Sequence, residues 1–387
     1  VAELVAVIGD AGAEPGQPLR ALTELRTLLA CQAEPPIQAV LDAGGPAALV
    51  ARLRGASPVL QLEAAWALTN LASGSSEQAR AVLEAGAAEA ALGLLASPAA
   101  AERPDLCDQC LWVLGNIAGD SDLSLRDRLL EAGTVGHLGR LYLQLPELPW
   151  DFRGRLQVLR SLAWLMSALC HGRPAPPLEE VDCAFDFFAQ ALAGTDDEQL
   201  LAEALWGLCY LLEGAEGAQA ACVRAERLLA AGLAQEETDG PAAMDLSAPD
   251  AALEELPRAP PPHPALVQAV GCTQRPGDPR NPLPVPALRL LAALVATPLE
   301  AATDAAIAAG ALEAFVELLM DGHAPEQVRC DAAWALANAA AGSPQQAQRL
   351  LQEARAPEAL CEMLEKGPSA AIRRECAWAF AHLAARG

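Results

Sequence analysis

Apolar and polar positions along this chain follow a helical rhythm, and the rhythm is punctuated at regular places. From Trp66 to Leu95 the sequence runs WALTNLASGSSEQARAVLEAGAAEAALGLL, and from Trp334 to Leu364 it runs WALANAAAGSPQQAQRLLQEARAPEALCEML. In both stretches a long helix is predicted to end at a glycine, Gly74 or Gly342, the residue that best tolerates a left-handed C-terminal cap. Ser-x-x-Gln follows at once, at Ser75 to Gln78 and at Ser343 to Gln346. That spacing is a capping box, which satisfies the orphan amides of the next helix. A short helix then breaks at Gly86, a medium apolar helix covers Ala87 to Leu95, and Ser97-Pro98 leads towards the next long helix, as Ser57-Pro58 does before Trp66. The predicted unit is three helices, short, medium and long. One such unit cannot bury its apolar face alone, so it stacks on its neighbours.

Six of the seven tryptophans lie in one frame on the long helices, at Trp66, Trp112, Trp164, Trp206, Trp334 and Trp378. Successive copies are 46, 52, 42 and 44 residues apart where the frame is unbroken. A period of about 40–47 residues marks an armadillo or HEAT array. The expected fold is therefore all-α: a right-handed armadillo-repeat superhelical solenoid of about eight three-helix repeats, one domain over 1–387. The first repeat is the least regular, with helices at Pro18 to Ala30 and Glu34 to Leu53. The period breaks once, because 83 residues separate Trp206 from Arg289. The excess lies around 235–281, which holds Gly240-Pro241, Glu254-Glu255 and Pro260-Pro261-Pro262 and is expected to be a solvated insertion. Its outer part, including Ala265 to Val270, is expected to supply a repeat helix. The chain thus divides into N-terminal repeats (1–234), the insertion (235–281) and C-terminal repeats (282–387).

Composition narrows the partners. The formal charge is −24, which excludes a phosphate backbone as an obvious ligand and suits a basic partner drawn in by long-range attraction. Eleven cysteines are scattered without a paired framework, and the one CxxC, Cys107 to Cys110, lies on a helix leading into Trp112 with no second CxxC or His pair beside it. Free, mostly buried thiols are expected, with no metal and no cofactor. There is no apolar run of about 18 residues and no signal-peptide pattern, so no membrane insertion is expected. The chain does not begin with Met, so flanking segments are expected outside it.

On a helix, residues four apart share a face. Trp66 and Asn70 project together, as do Trp112 and Asn116, and Trp334 and Asn338. Glu63, Gln109, Glu203, Asp331 and Glu375, each three before a Trp, join them. Stacked long helices would then present a ladder of indoles with amides between. Slots between indoles accept the stems of Lys or Arg, cation–π attraction adds about 0.5–2 kcal/mol per contact, and Asn can pair with both groups of a peptide unit. Asp120, eight residues after Trp112 and just past its helix, is the strongest candidate to anchor an ammonium. The competing reading makes the tryptophans core filler between helices. Repeated mid-helix Asn, a poor helix former and a costly core residue, favours a ligand-facing row.

At these residues the chain resembles importin-alpha (karyopherin-alpha), the nuclear import adaptor family that binds nuclear localisation signals. The resemblance is carried by WALTNLASGSSEQ (66–78), WVLGNIAGD (112–120), RPAPP (173–177), PALR (286–289) and CQAEPPIQAV (31–40). It implies ten armadillo repeats in the full family fold, with a major and a minor peptide site. By match, the major site would use Trp66, Asn70, Ser73, Gly74, Gln109, Trp112, Asn116, Asp120 and Trp164, with Asp120 holding the critical lysine. The minor site would use Arg289, Asp331, Trp334, Asn338, Glu375 and Trp378, and Glu203, Trp206 and Tyr210 would fall between the two. Departures are Ala168, Ala293 and His382 at positions where the family has Asn, and Ala79 where it has Thr. The major site keeps two Trp/Asn pairs and its acid, whereas the minor site keeps one pair, so the minor site is expected to be the weaker. The resemblance implies basic cargo signals as partners, importin-beta through an N-terminal segment not in this chain, and localisation in cytoplasm and nucleus. The alternative is a diverged armadillo scaffold for another protein partner. The five histidines fall in unrelated frames with no catalytic constellation, so an enzyme is not expected.

Overall fold

The computed structural model describes residues 1–14, 16–30, 34–231, 263–273, 283–352 and 355–385. Every regular element among them is helical. They fall into two compact units, Val1–Phe187 and Phe188–Gly387.

Unit 1 opens with α1 (Ala2–Gly9), which the sequence pattern had not announced, and α2 (Gln17–Leu29). Three fuller repeats follow: α3 (Ile37–Asp42), α4 (Gly45–Leu53) and α5 (Pro58–Ala72); α6 (Ser76–Glu84), α7 (Ala87–Leu95), a short extra α8 (Pro98–Glu102) and α9 (Pro104–Ala118); then α10 (Leu123–Glu131), α11 (Thr134–Gln144) and α12 (Phe152–Cys170). Next comes α13 (Leu178–Gly194). Unit 2 continues with α14 (Glu198–Glu213); α15 (Ala218–Ala230), α16 (Pro264–Thr273) and α17 (Pro284–Val295); α18 (Glu300–Ala308), α19 (Ala311–Met320) and α20 (Glu326–Ala341); and α21 (Pro344–Gln352), α22 (Ala356–Lys366) and α23 (Ala370–Ala384). The predicted helix at Ala265 to Val270 is α16, and the rest of the predicted insertion lies mostly outside the described residues.

Within each unit, like packs on like. In unit 1 the long helices α2, α5, α9 and α12 stack in order, and in unit 2 α14, α17, α20 and α23 do the same. The cores are Leu and Ala: Leu68, Leu71, Leu106, Leu111, Leu162 and Leu165 are fully buried in unit 1, as are Leu205, Leu291 and Leu336 in unit 2. Small Ala side chains let the stacked helices approach closely, which leaves the larger indoles to project elsewhere.

Local chemistry sets the register of each repeat. Gly44, Gly86, Gly133 and Gly310 all take positive φ at the bend between first and second helices, a conformation costly for any residue with a Cβ. Both predicted capping boxes form: Ser75 accepts from the Gln78 amide while Gln78 Oε1 accepts from the Ser75 amide at 3.0 Å, and Ser343 and Gln346 do likewise at 2.8 Å. The expected left-handed caps at Gly74 and Gly342 are not seen. Neither residue has positive φ. A Cβ there would instead fall 2.1 Å or 2.2 Å from the carboxamide oxygen of Gln78 or Gln346. Those glycines make room for the capping glutamine.

Candidate functional site

Exposure separates the tryptophans. Trp66, Trp112, Trp334 and Trp378 are 40%, 38%, 42% and 53% exposed, whereas Trp150, the one outside the frame, is 6% exposed and donates its indole N–H to the Ala101 carbonyl at 2.9 Å. Four of the six framed tryptophans therefore stand clear of the core, Trp164 and Trp206 are half-buried, and the off-frame one fills it.

In unit 1, α5, α9 and α12 carry Trp66, Trp112 and Trp164. The Trp112 and Trp164 rings lie 4.9 Å apart at 39°. Trp164 lies flat over Gly115, where a Cβ would come within 2.1 Å of its six-membered ring. Asn116 is half-buried and donates to the Thr69 carbonyl on α5 at 2.9 Å, which ties the two helices together and leaves its Oδ1 without a partner. Asn70 has a shielded Nδ2 that reaches no acceptor. Gln109 meets the Thr69 hydroxyl through its Oε1 and its carbonyl, at 3.4 and 3.3 Å. Ser73 donates back to the Asn70 carbonyl at 3.0 Å, and Gly74 follows it at the α5–α6 junction. Asp120 sits against that same junction. Its Oδ1 accepts from the Ser76 hydroxyl at 2.6 Å and from the Asp122 amide at 2.7 Å, so its orientation is fixed, while Oδ2 has no hydrogen-bond partner. The structure thus brings Asp120 to the end of the helix that carries Trp66 and Asn70.

Two further groups escaped the sequence reading. Asp108, one turn before Trp112, is almost fully buried. Burial pushes its carboxyl above the ordinary carboxylate range, against hydrogen bonds from Ser161 (2.5 Å), Gln157 (3.3 Å) and Trp112. The i, i+4 spacing to Trp112 was the available signal for it. Cys107 and Cys110 beside it are free and buried, as the sequence reading expected. Burial drives the Cys107 thiol well up and lifts Cys110 to about 12, so neither is a reactive thiolate.

The second group is Arg26. It reaches from α2 to Trp66, its guanidinium carbon 4.2 Å from the indole centroid, and its Nε lies 2.8 Å from Glu63 Oε2. A guanidinium on an indole face, held by a carboxylate one turn away, is the arrangement proposed for a cationic ligand.

Unit 2 carries a second set. Asn338 donates to the carbonyl of Trp334, four residues back in its own helix, at 3.1 Å. Asp331 accepts from Gln327 at 2.7 Å, and Glu375 accepts from Arg374 at 2.9 Å. His382, at an expected Asn position, stacks on Trp378 with centroids 6.0 Å apart. Trp206 and Tyr210 stack at 5.7 Å, and Glu203 precedes them on α14. Arg289 lies 5.4 Å over Trp206 and pairs with Glu213 at 2.5 Å, so it is already committed within the protein. An open cavity of about 370 Å³ borders Asn338, with Val295, Glu300, Thr303 and Ser343 among its walls. Among the described residues no cluster of His, Cys, Asp or Glu could hold a metal ion, and no helix is long and apolar enough to cross a membrane.

Residues 33–73 and 300–341 match the Armadillo/beta-catenin-like repeat family. The chain is 41% identical to importin subunit alpha-2 of Arabidopsis thaliana over 197 residues and 40% identical to importin subunit alpha-1b of Oryza sativa subsp. japonica over 197 residues, in each case 51% of this chain and 34% of the relative. It is 30% identical to the probable importin subunit alpha-A of Dictyostelium discoideum over 205 residues, 50% of this chain and 36% of that protein. The chain thus spans about a third of the length of these relatives. The crystal structure of an engineered protein shares the fold with a TM-score of 0.72 at 23% identity, covering 99% of this chain and 78% of that one.

Proposed function

We propose that this all-α armadillo-repeat chain is the cargo-binding array of a nuclear import adaptor, working between cytoplasm and nucleus. The array grips stretched, Lys- and Arg-rich signals along the indole row of unit 1. The observation that carries this is Asp120. Its carboxylate is oriented by two hydrogen bonds, keeps one oxygen unspent, and sits against Ser76 at the start of α6, just past the helix that carries Asn70. An ammonium placed there gains roughly 4 kcal/mol of Coulomb attraction at about 4 Å before desolvation is subtracted. Trp66 and Trp112 then hold the aliphatic stems, and the spare Asn116 oxygen accepts from the peptide backbone. The similarity to importin alpha subunits supports the same reading, including importin-beta as a partner through a segment outside this chain. The role proposed for the row is binding.

Unit 2 is the weaker site in this proposal. It retains a single Trp/Asn pair, and Arg289 already occupies Trp206. The test is titration of a labelled Pro-Lys-Lys-Lys-Arg-Lys-Val peptide by fluorescence anisotropy. The native chain binds at micromolar concentration or tighter. Changing single lysines of the peptide to Thr identifies one position whose loss abolishes binding, and Asp120→Lys in the protein has the same effect. Native-like binding by both altered partners would leave only nonspecific attraction to an acidic surface.

A further inference from the structure

The unit-1 row is not open along its whole length. Helix α5 packs on α2 at one side and α9 at the other. Arg26 comes from the α2 side, covers Trp66 at 4.2 Å, and fixes its head on Glu63 at 2.8 Å. Both partners are largely withdrawn from water, with side chains 21% and 16% exposed, so the pair is not a loose surface contact. The first acid of the ladder, Glu63, is therefore already paired within the protein. Trp112 instead meets another indole, Trp164.

We infer that Arg26 is a built-in occupant of the outermost slot and sets where a basic ligand must stop. The inference rests on the proposed peptide-binding reading of this row. A bound segment places its cations from the Trp66–Trp112 slot inwards, beside Asp120. Its residue facing the α2 side of Trp66 meets a guanidinium and is disfavoured if cationic. The row thus counts positive charges, because Arg26 stands where one more lysine would go.

The experiment compares three peptides: a Lys-Lys-Arg-Lys core in Gly/Ser flanks, and the same core with one further Lys at its N-terminal or C-terminal end. Binding to the native chain, Arg26→Ala, Glu63→Gln and Arg20→Ala is read by anisotropy at fixed ionic strength. In the native chain both extensions change Kd less than about twofold. In Arg26→Ala one of the two extended peptides gains about tenfold while the core peptide is nearly unchanged, the size of one added cation–π contact with its acid. Glu63→Gln, which frees the Arg26 head but removes the acid, gives no such gain. Arg20→Ala removes an exposed cation from the same helix and shifts all three peptides alike. If Arg26→Ala strengthens or weakens all three equally, or if extension already helps the native chain, the slot inference is wrong and the peptide-binding reading survives. If the native chain does not bind the core peptide, both fail.

Discussion

Single residues decide whether the row can form. Trp164 lies flat only because residue 115 has no side chain, so Gly115→Ala drives a methyl into its ring. The expected outcome is a loss of about 1–3 kcal/mol in denaturant unfolding, as for other overpacked sites, with weaker peptide binding because Trp112 leans on Trp164. Asp108 makes a different prediction. Burial raises its folded-state pKa, so the unfolded chain ionises first as pH rises, and the penalty builds between the ordinary carboxylate pKa and the raised one and then persists at neutral pH. Asp108→Asn is therefore expected to stabilise the fold at pH 7, with the gain vanishing as pH falls below the ordinary carboxylate range. Thermal melts across pH check this, and a destabilised variant at pH 7 would mean the hydrogen bonds from Ser161 and Gln157 outweigh burial. The Trp/Asn pairs were legible in the sequence because they sit one helical turn apart. Arg26 was not, because its partner Trp66 is a whole repeat away and an arginine on an amphipathic helix has no distinguishing neighbour.

At the scale of elements, punctuation carried more information than propensity. Bounds such as Ala87–Leu95 could be read because Gly86 and Ser97 stop and start helices by chemistry. The reason for Gly74 could not be read, since a glycine after a helix signals a left-handed cap and a cleared space equally well. Gln78→Ala, which removes half of the capping box, is expected to cost about 1 kcal/mol, and Gly74→Ala a similar amount by displacing the same side chain. In the last repeat the bend glycine is replaced by Arg355, at φ 69°. Left-handed geometry costs a side-chain-bearing residue about 1–2 kcal/mol. Yet Arg355 also lines an acidic cavity of about 400 Å³ with Glu313, Glu317, Asp321, Glu358 and Glu362. Salt screens that compensation but leaves backbone strain untouched. Arg355→Gly is thus expected to be clearly stabilising in high salt and much less so in low salt, as measured by chemical unfolding at two ionic strengths.

For the whole molecule, the repeating tryptophan frame gave the architecture, because stacked repeats impose one period on sequence and structure alike. The irregular first repeat was read least well: α1 carries no Trp, and its apolar run had no second copy to match. The net charge of −24 adds a kinetic expectation. Association of a basic peptide should slow steeply with added salt while dissociation changes less, which stopped-flow mixing would resolve. The two units also part company, since unit 1 keeps two Trp/Asn pairs and Asp120 whereas unit 2 keeps one pair and has Arg289 over Trp206. The most direct measurement is the affinity of one labelled basic peptide for Trp112→Ala and Trp378→Ala chains whose melts match the native protein. Loss of the Trp112 indole is predicted to weaken binding at least about tenfold, and loss of the Trp378 indole no more than about threefold. Unchanged affinity in the Trp112→Ala chain would contradict the claim that exposed indoles hold the cations.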